Sequence, residues 1–152
     1  MVSPELLRQF KLFAGADVDV LRSLAMLSSE MTVHAGEWLF HEGDDADALY
    51  VISEGKITLK LAMGRNGKGF ADLDTLVRGD LVGWSAVSDP YIYRLGALAE
   101  KDTHLIQLDA GKLREYLAAN NAYGYVLMGH IAKAIGSRLN ALRIQFASVT
   151  QV

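Results

Sequence analysis

The sequence predicts a mainly β fold with flanking helices: an antiparallel β-roll that follows short N-terminal helices and precedes one long C-terminal helix. Short segments rich in aliphatic and aromatic residues recur about every 8–12 residues through the middle of the chain, separated by turns rich in glycine and aspartate. Helical spacing of apolar residues is confined to the two ends of the chain. With 152 residues, of which 51% are hydrophobic and 22% charged, the chain has the size and composition of one globular domain, 1–152.

Residues 1–30 predict two short amphipathic helices. Leucine and phenylalanine recur at helical spacing within residues 4–13, and a similar pattern returns within residues 16–27. Asp17 precedes the second pattern and is a candidate N-cap, because its carboxylate can accept a hydrogen bond from an unpaired N–H of the first helical turn.

Residues 31–109 predict the β-roll. Its strands are predicted near residue 33 and at residues 38–41, 49–52, 57–61, 70–77 and 103–108. In segment 57–61 apolar residues alternate with lysine and threonine, which predicts a strand with one buried and one wet face. The glycine-rich segment 64–69 lies between strands, so it predicts a hairpin loop and not a phosphate loop, which would precede a helix.

Segment 79–99 predicts a pocket for a small anion. A turn leads to Val82 and Gly83, where a glycine allows close approach of a ligand, and the helical turn that follows leaves N–H groups unpaired. The proline at position 90 ends this turn. Residues 91–98 are aromatic and apolar enough for a strand, which carries one cation, Arg94.

The C-terminal residues predict a short helix at 110–119, capped by Asp109, and a long helix at 121–147 after a break at two asparagines. Apolar residues of the long helix recur at spacings of 3 and 4, close to a coiled-coil seam, and two small residues allow a second helix to approach closely. This pattern predicts a homodimer. The candidate interface residues are Met128, Ile131, Ala132, Ile135, Gly136, Leu139 and Leu142.

Composition and motif spacing exclude several classes of function. The absence of cysteine excludes disulfides and thiolate catalysis. The N-terminus lacks a signal-peptide pattern and no apolar run approaches a membrane span, so we expect a cytoplasmic protein that makes no membrane contact. The four histidines fit no metal-ligand spacing, the acidic turn after residue 41 lacks the calcium-loop spacing, and Ser85 is not in a nucleophile elbow. We therefore expect no metal site, no catalytic residue and no enzymatic activity.

Charge is distributed unevenly along the chain. The formal net charge is −3, but residues 1–110 hold 10 basic and 17 acidic residues, whereas residues 111–152 hold 5 and 1. A basic C-terminal part can contact nucleic acid, and it can equally form a solvated helix face. We favour the helix face.

The order of these elements and several motifs resemble the cyclic-nucleotide-binding domain of catabolite-activator-type regulators, cyclic-nucleotide-dependent kinases and gated channels. The similar motifs are Gly36 with the aromatic strand at 38–40, the turn 42–44, and Tyr50 to Ile52 with Gly55. The resemblance covers residues 10–145. It implies a jelly-roll-like double-stranded β-helix, a phosphate-binding cassette at 79–99, and a C-terminal helix that dimerises and closes over a regulatory ligand, cyclic AMP or cyclic GMP.

The cassette departs from the family pattern at two positions. In the family a glutamate follows the cassette glycine and binds the ribose 2′-hydroxyl, and an arginine binds the cyclic phosphate. Here Trp84 stands in the glutamate position and Tyr93 in the arginine position, with Arg94 one residue later. The candidate ligand-binding residues are Val82, Gly83, Trp84, Ser85, Ala86, Tyr93 and Arg94.

Two hypotheses for function follow from this conflict. The module binds a small anionic ligand, a cyclic nucleotide or a substitute, or it is a dimerising scaffold with a vestigial site. Losing both ligand-specific residues would cost on the order of 4 kcal/mol, about a thousandfold in affinity, so we expect weak binding of cyclic nucleotides. A bulge that turns Arg94 inward would restore part of the lost affinity. Since only residues 147–152 follow the long helix, we expect no direct DNA binding and a signalling protein as the recipient of the output.

Overall fold

The computed structural model describes residues 1–64 and 69–150. The N-terminal part forms helix α1 (Pro4–Arg8), a 3₁₀ turn (Lys11–Phe13) and helix α2 (Val18–Met26). Asp17 caps α2 as predicted, because its Oδ1 accepts a hydrogen bond of 2.9 Å from the Val20 N–H. Of the predicted hairpin loop 64–69, residues 65–68 lie outside the described residues.

Two antiparallel sheets of four strands each form the roll within the described residues. The strands are β1 (Ser28–Val33), β2 (Trp38–Phe40), β3 (Ala48–Glu54), β4 (Ile57–Met63), β5 (Gly69–Leu76), β6 (Leu81–Val82), β7 (Gly96–Ala99) and β8 (Thr103–Asp109). One sheet has the order β1-β8-β3-β6 and the other β2-β7-β4-β5. Leu49, Val51 and Ile52 of β3 are fully buried at the centre of the core. The predicted antiparallel β-roll with flanking helices is confirmed.

Two of the predicted strands need correction. The wet face expected on β4 is wrong at Thr58, which is buried, because its partners Leu98 of β7 and Thr75 of β5 stand beside it on the same face of the sheet. The strand expected at 91–98 begins only at Gly96. Residues 91–95 run as a loop, because Tyr91 adopts a left-handed backbone conformation with φ of 60° after a cis bond between Asp89 and Pro90.

The acidic turn after residue 41 holds this loop in place. The Gly43 and Ala46 N–H groups donate to the carbonyl oxygens of Tyr93 and Tyr91, both at 2.8 Å, and the Tyr93 N–H donates to the Asp44 carbonyl at 2.9 Å. Three backbone hydrogen bonds therefore fix the orientation of the residues that follow Pro90.

The C-terminal part forms helix α3 (Ala110–Ala119) and helix α4 (Asn121–Thr150). The predicted cap is confirmed, since Asp109 Oδ1 accepts a hydrogen bond of 2.9 Å from the Lys112 N–H. The 30 residues of α4 span roughly 45 Å. The first half packs on the roll through the buried Leu127 and Ile131, whereas most side chains after Leu139 are exposed. Among the described residues, none of the helices combines the length and apolar character needed to span a membrane.

Candidate functional site

Near the start of the cassette, β6 pairs with β3 and leads into a 3₁₀ turn, Trp84–Val87. Gly83 joins the two with φ of 83°, a conformation that favours glycine. A Cβ atom at this position would also lie 2.9 Å from Cε1 of Tyr93 and 3.3 Å from the Ala48 carbonyl oxygen. Gly83 is therefore required by its backbone conformation and by the close approach of a neighbouring ring.

That neighbouring ring, Tyr93, fills the interior of the cassette. Its side chain is 4% exposed, and it stacks on Phe40 with ring centroids 3.6 Å apart and an interplanar angle of 9°. Its hydroxyl group donates a hydrogen bond to the Ala48 carbonyl oxygen and accepts one of 3.3 Å from the Ala48 N–H. Burial raises the pKa of Tyr93 well above its ordinary value of 10.0, and the nearby Tyr50 raises it further. The phenol is therefore neutral and firmly held.

The cassette retains a cavity of only about 40 Å³. Sites for small organic ligands are typically about 300–1,000 Å³, whereas one water needs about 10–15 Å³. The cavity is lined by Phe40, Leu59, Gly83, Trp84, Ser85, Tyr93, Arg94, Leu95 and Arg138. This space admits a few waters or an anion of a few atoms, and it does not admit a nucleotide.

The predicted ligand-binding residues are thus brought together, but in a closed arrangement. Val82, Ser85 and Ala86 are buried, and Trp84 is half-buried at the cavity wall. Arg94 is exposed at the rim, and within the described residues its guanidinium makes no hydrogen bond or ion pair. Arg94 thus borders the cavity from its rim, and Tyr93 occupies the interior.

Arg138 of α4 reaches the cassette, a contact that no motif in the sequence predicts. Its Nε lies 3.2 Å from Oδ2 of Asp74, and its Nη2 donates a hydrogen bond of 2.9 Å to the Leu81 carbonyl oxygen. Burial lowers the pKa of Arg138, and the carboxylates of Asp74 and Asp80 partly offset this effect, so the side chain remains charged. Arg138 lies seven residues, about two helical turns, after Ile131, and this spacing places it on the buried face of α4.

Helix α3 holds the other end of the cassette through Arg114. Nη1 of Arg114 donates a hydrogen bond of 2.7 Å to the Ala86 carbonyl oxygen, and its guanidinium lies 4.1 Å from the ring centroid of Tyr91. Two basic residues of the C-terminal part therefore bind backbone carbonyls of the cassette.

The candidate dimer residues divide between two faces of α4. Ile131 is 1% exposed and belongs to the domain's own core, so its assignment to a dimer interface is corrected. The spacing of Ile131 also fits the predicted dimer seam, because the core-facing side of α4 and the seam repeat with the same helical period. The other candidates form a stripe beside this face, which we call the α4 stripe. Met128, Ala132, Gly136 and Leu139 of the stripe are exposed, and Ile135 and Leu142 are partly buried.

The histidines make separate contacts. Nδ1 of His34 lies 3.6 Å from Asp102, and Nδ1 of His104 lies 2.9 Å from the Thr32 hydroxyl. His130 donates from Nε2 to the Ala14 carbonyl oxygen at 2.9 Å. Within residues 1–64 and 69–150, no three side chains of the metal-binding types are grouped to hold a metal ion.

Comparison with known proteins identifies one family and several similar structures. The family described as the cyclic nucleotide-binding domain matches residues 30–120. A putative cyclic nucleotide-binding protein from Geobacter metallireducens is 32% identical, with a TM-score of 0.82 over 91% of this chain and 99% of that one. The N-terminal domain of a transcriptional regulator from Streptomyces coelicolor is 29% identical, with a TM-score of 0.69 over 90% of this chain and 94% of that one.

A curated relative is much longer than this chain. An uncharacterized NTE family protein of Mycobacterium tuberculosis is 32% identical over 77 residues, which cover 51% of this chain and 12% of that protein. The chain therefore matches one segment of a larger protein.

Proposed function

The chain belongs to the cyclic nucleotide-binding domain family, and we propose that it is a non-catalytic regulatory module with a closed nucleotide site, whose output is the position of α4. Members of this family are regulatory domains, and this chain is therefore a regulatory domain as well. One observation carries the finer proposal. Tyr93 occupies the place where the resemblance puts the phosphate-binding arginine, and its ring leaves about 40 Å³ free.

A cyclic nucleotide would have to displace this ring. The ring would lose its stack on Phe40, its contact with Gly83 and its hydrogen bonds to Ala48. Removing a buried aromatic side chain from its packing costs on the order of 3–5 kcal/mol. A micromolar affinity corresponds to about 8 kcal/mol, so this cost alone reduces it to about millimolar. Trp84 in place of the ribose-binding glutamate reduces it further.

The contacts of Arg114 and Arg138 support a regulatory role for α4. Each arginine links a C-terminal helix to a carbonyl oxygen of the cassette, at Ala86 and Leu81 respectively. A shift of the cassette therefore breaks charge-assisted hydrogen bonds to both helices, and a shift of α4 acts back on the cassette. The proposed signal passes through these bonds to a partner protein.

A homodimer through the α4 stripe is part of the proposal. The stripe borders the face of α4 that packs on the roll, since Ile135 contacts the core, and its outer part is free: Leu139 is 58% exposed. Apolar residues at heptad-like spacing on a solvent-facing helix are typical of a coiled-coil contact with a second copy of the same helix.

A small inorganic anion is the second candidate ligand. Arg94 at the rim and Ser85 both line the remaining cavity, and its volume suits an anion of a few atoms. Arg94→Ala would weaken binding of such an anion by more than about tenfold and leave the melting temperature nearly unchanged.

Calorimetric titration with cyclic AMP and cyclic GMP tests the proposal. We expect the wild type to bind both more weakly than about 1 mM. The variant Trp84→Glu with Tyr93→Arg restores the two family residues, and we expect its affinity to rise by about 10²–10⁴-fold. Arg94→Lys, which keeps the charge at the rim, is the control and should bind like the wild type. Low-micromolar binding by the wild type would contradict the closed site.

A further inference from the structure

A second and larger cavity lies outside the roll, between α4 and the N-terminal 3₁₀ turn. Its volume is about 570 Å³, within the range of sites for small organic molecules. We call it the α4 groove. One wall is the 3₁₀ turn around Lys11, the second is the end of β5 with the turn that follows, and the third is α4 from His130 to Ala141.

The floor of the α4 groove is apolar. Leu12, Leu76 and Leu81 line it and are themselves almost fully buried, so they present a fixed surface. Ala134 and Ala141 of α4 leave room above this floor because their side chains are small. Such a surface favours an apolar chain or ring, since covering it removes hydrocarbon from water.

The free charge of the groove is positive. Three cations and two carboxylates line it, a formal net charge of +1; Asp74 pairs with Arg138 at 3.2 Å, and Asp80 accepts a hydrogen bond of 2.8 Å from the Val77 N–H. Lys11 and Lys133 also line the groove, one from each helical wall, and within the described residues neither side-chain ammonium group has an ion pair or hydrogen bond. Two ammonium groups beside an apolar floor are suited to an acidic head group.

We propose that the α4 groove binds a small amphipathic organic acid, with its apolar body on the leucine floor and its acidic group at Lys11 and Lys133. The groove shares Leu81 and Arg138 with the cassette, so its occupant contacts the residues that link α4 to the roll. The inference is independent of the closed nucleotide site, because neither Tyr93 nor Trp84 lines this groove.

Titration of the ¹⁵N-labelled protein with sodium octanoate, followed by amide NMR, tests the proposal. We expect saturable shifts at Gly79, Leu81 and Ala134, with the Trp84 and Ser85 amides as separate reporters of the cassette. Replacing both groove lysines, Lys11→Gln with Lys133→Gln, should weaken octanoate binding by about tenfold or more.

The matched control is Lys101→Gln with Lys112→Gln, which removes the same charge from exposed positions outside the groove and should bind like the wild type. Octanol has the same chain without the acid, and we expect it to bind at least about tenfold more weakly than octanoate. Three results would overturn the proposal: no saturable shift at the groove, shifts confined to residues 139–149, or equal affinity for octanol. None of them bears on cyclic nucleotide binding, which calorimetry measures separately.

Discussion

Replacing Tyr93 with alanine is the most direct test of the closed cassette. The side chain is 4% exposed, stacks on Phe40 and touches the position where Gly83 lacks a Cβ atom. Tyr93→Ala therefore leaves a cavity between β2 and the cassette. It also leaves the Ala48 carbonyl oxygen without its hydroxyl partner.

The expected loss of stability is large. Truncating a buried aromatic side chain costs about 3–5 kcal/mol, and an unsatisfied buried carbonyl adds about 1–3 kcal/mol. Because the cavity can fill with water, we expect a total of about 4–6 kcal/mol, which lowers the melting temperature by roughly 10–20 °C for a domain of this size. Tyr93→Phe keeps the ring and should cost only about 1–2 kcal/mol.

Urea denaturation followed by circular dichroism measures both values, with Tyr125→Ala as the control. Tyr125 is 84% exposed, so its loss should change the free energy of unfolding by less than about 0.5 kcal/mol. Addition of p-cresol should raise the melting temperature of Tyr93→Ala, by filling the cavity, and not that of the wild type. A cost below about 1 kcal/mol for Tyr93→Ala would refute the reasoning, because the ring would then be dispensable to the fold.

Three further predictions concern pH, the helix link and the dimer. Because the pKa of Tyr93 is raised in the folded state, its contribution to stability is present below pH 10.0 and is lost at higher pH. The stability advantage of wild type over Tyr93→Phe, from urea midpoints, should therefore shrink by up to about 1.4 kcal/mol per pH unit above 10; a constant difference would contradict this. Arg138→Gln should lower the free energy of unfolding by about 1–3 kcal/mol and speed amide hydrogen exchange in the second half of α4, with α2 as the internal control. Unchanged exchange would argue that Arg138 does not hold α4 to the roll. The double variant Leu139→Glu with Leu142→Glu should be monomeric by light scattering. The control Ile144→Glu, on another face of α4, should remain dimeric like the wild type. A monomeric wild type would refute the proposed homodimer through the α4 stripe.

The fold could be predicted because its determinants are local. Turn residues such as Gly36, Gly43 and Gly55 adopt positive φ, as their positions between strands suggested. The caps at Asp17 and Asp109 need only the neighbouring N–H groups of their own helices. Spacing within a few residues was therefore enough to place most strands and helices.

The interior of the cassette could be predicted only in part. Residues 91–95 form a loop and not the expected strand, so strand alternation does not place Tyr93 and Arg94, which both border the cavity. The shape of that segment depends on backbone hydrogen bonds to residues 43–46, which are distant in sequence. The stacking of Tyr93 on Phe40, and hence the small volume of the cavity, follows from that long-range pairing.

The two apolar faces of α4 cannot be distinguished by sequence spacing alone. Ile131 and Leu139 both fit one apolar seam by spacing, yet the first belongs to the core and the second is exposed. Periodicity identifies an apolar face and does not say what covers it. The ion pair between Arg138 and Asp74 joins residues far apart in the chain, so the sequence offered no local pattern for it.

The closed cassette changes what can control α4. A ligand shifts a conformational equilibrium only by the difference between its affinities for the two states. With Tyr93 in the cassette, a cyclic nucleotide must first overcome the packing of that ring, so roughly half of a micromolar binding energy is lost before any shift occurs. An occupant of the α4 groove has no such cost, because the groove is already open, at about 570 Å³. This occupant would contact Arg138 directly. Any motion that separates Arg138 from the Leu81 carbonyl would therefore change the surface of the groove to which the occupant binds. By linkage, an occupant that favours the docked position of α4 must also slow amide exchange in the second half of that helix, whereas a passive occupant leaves this exchange unchanged.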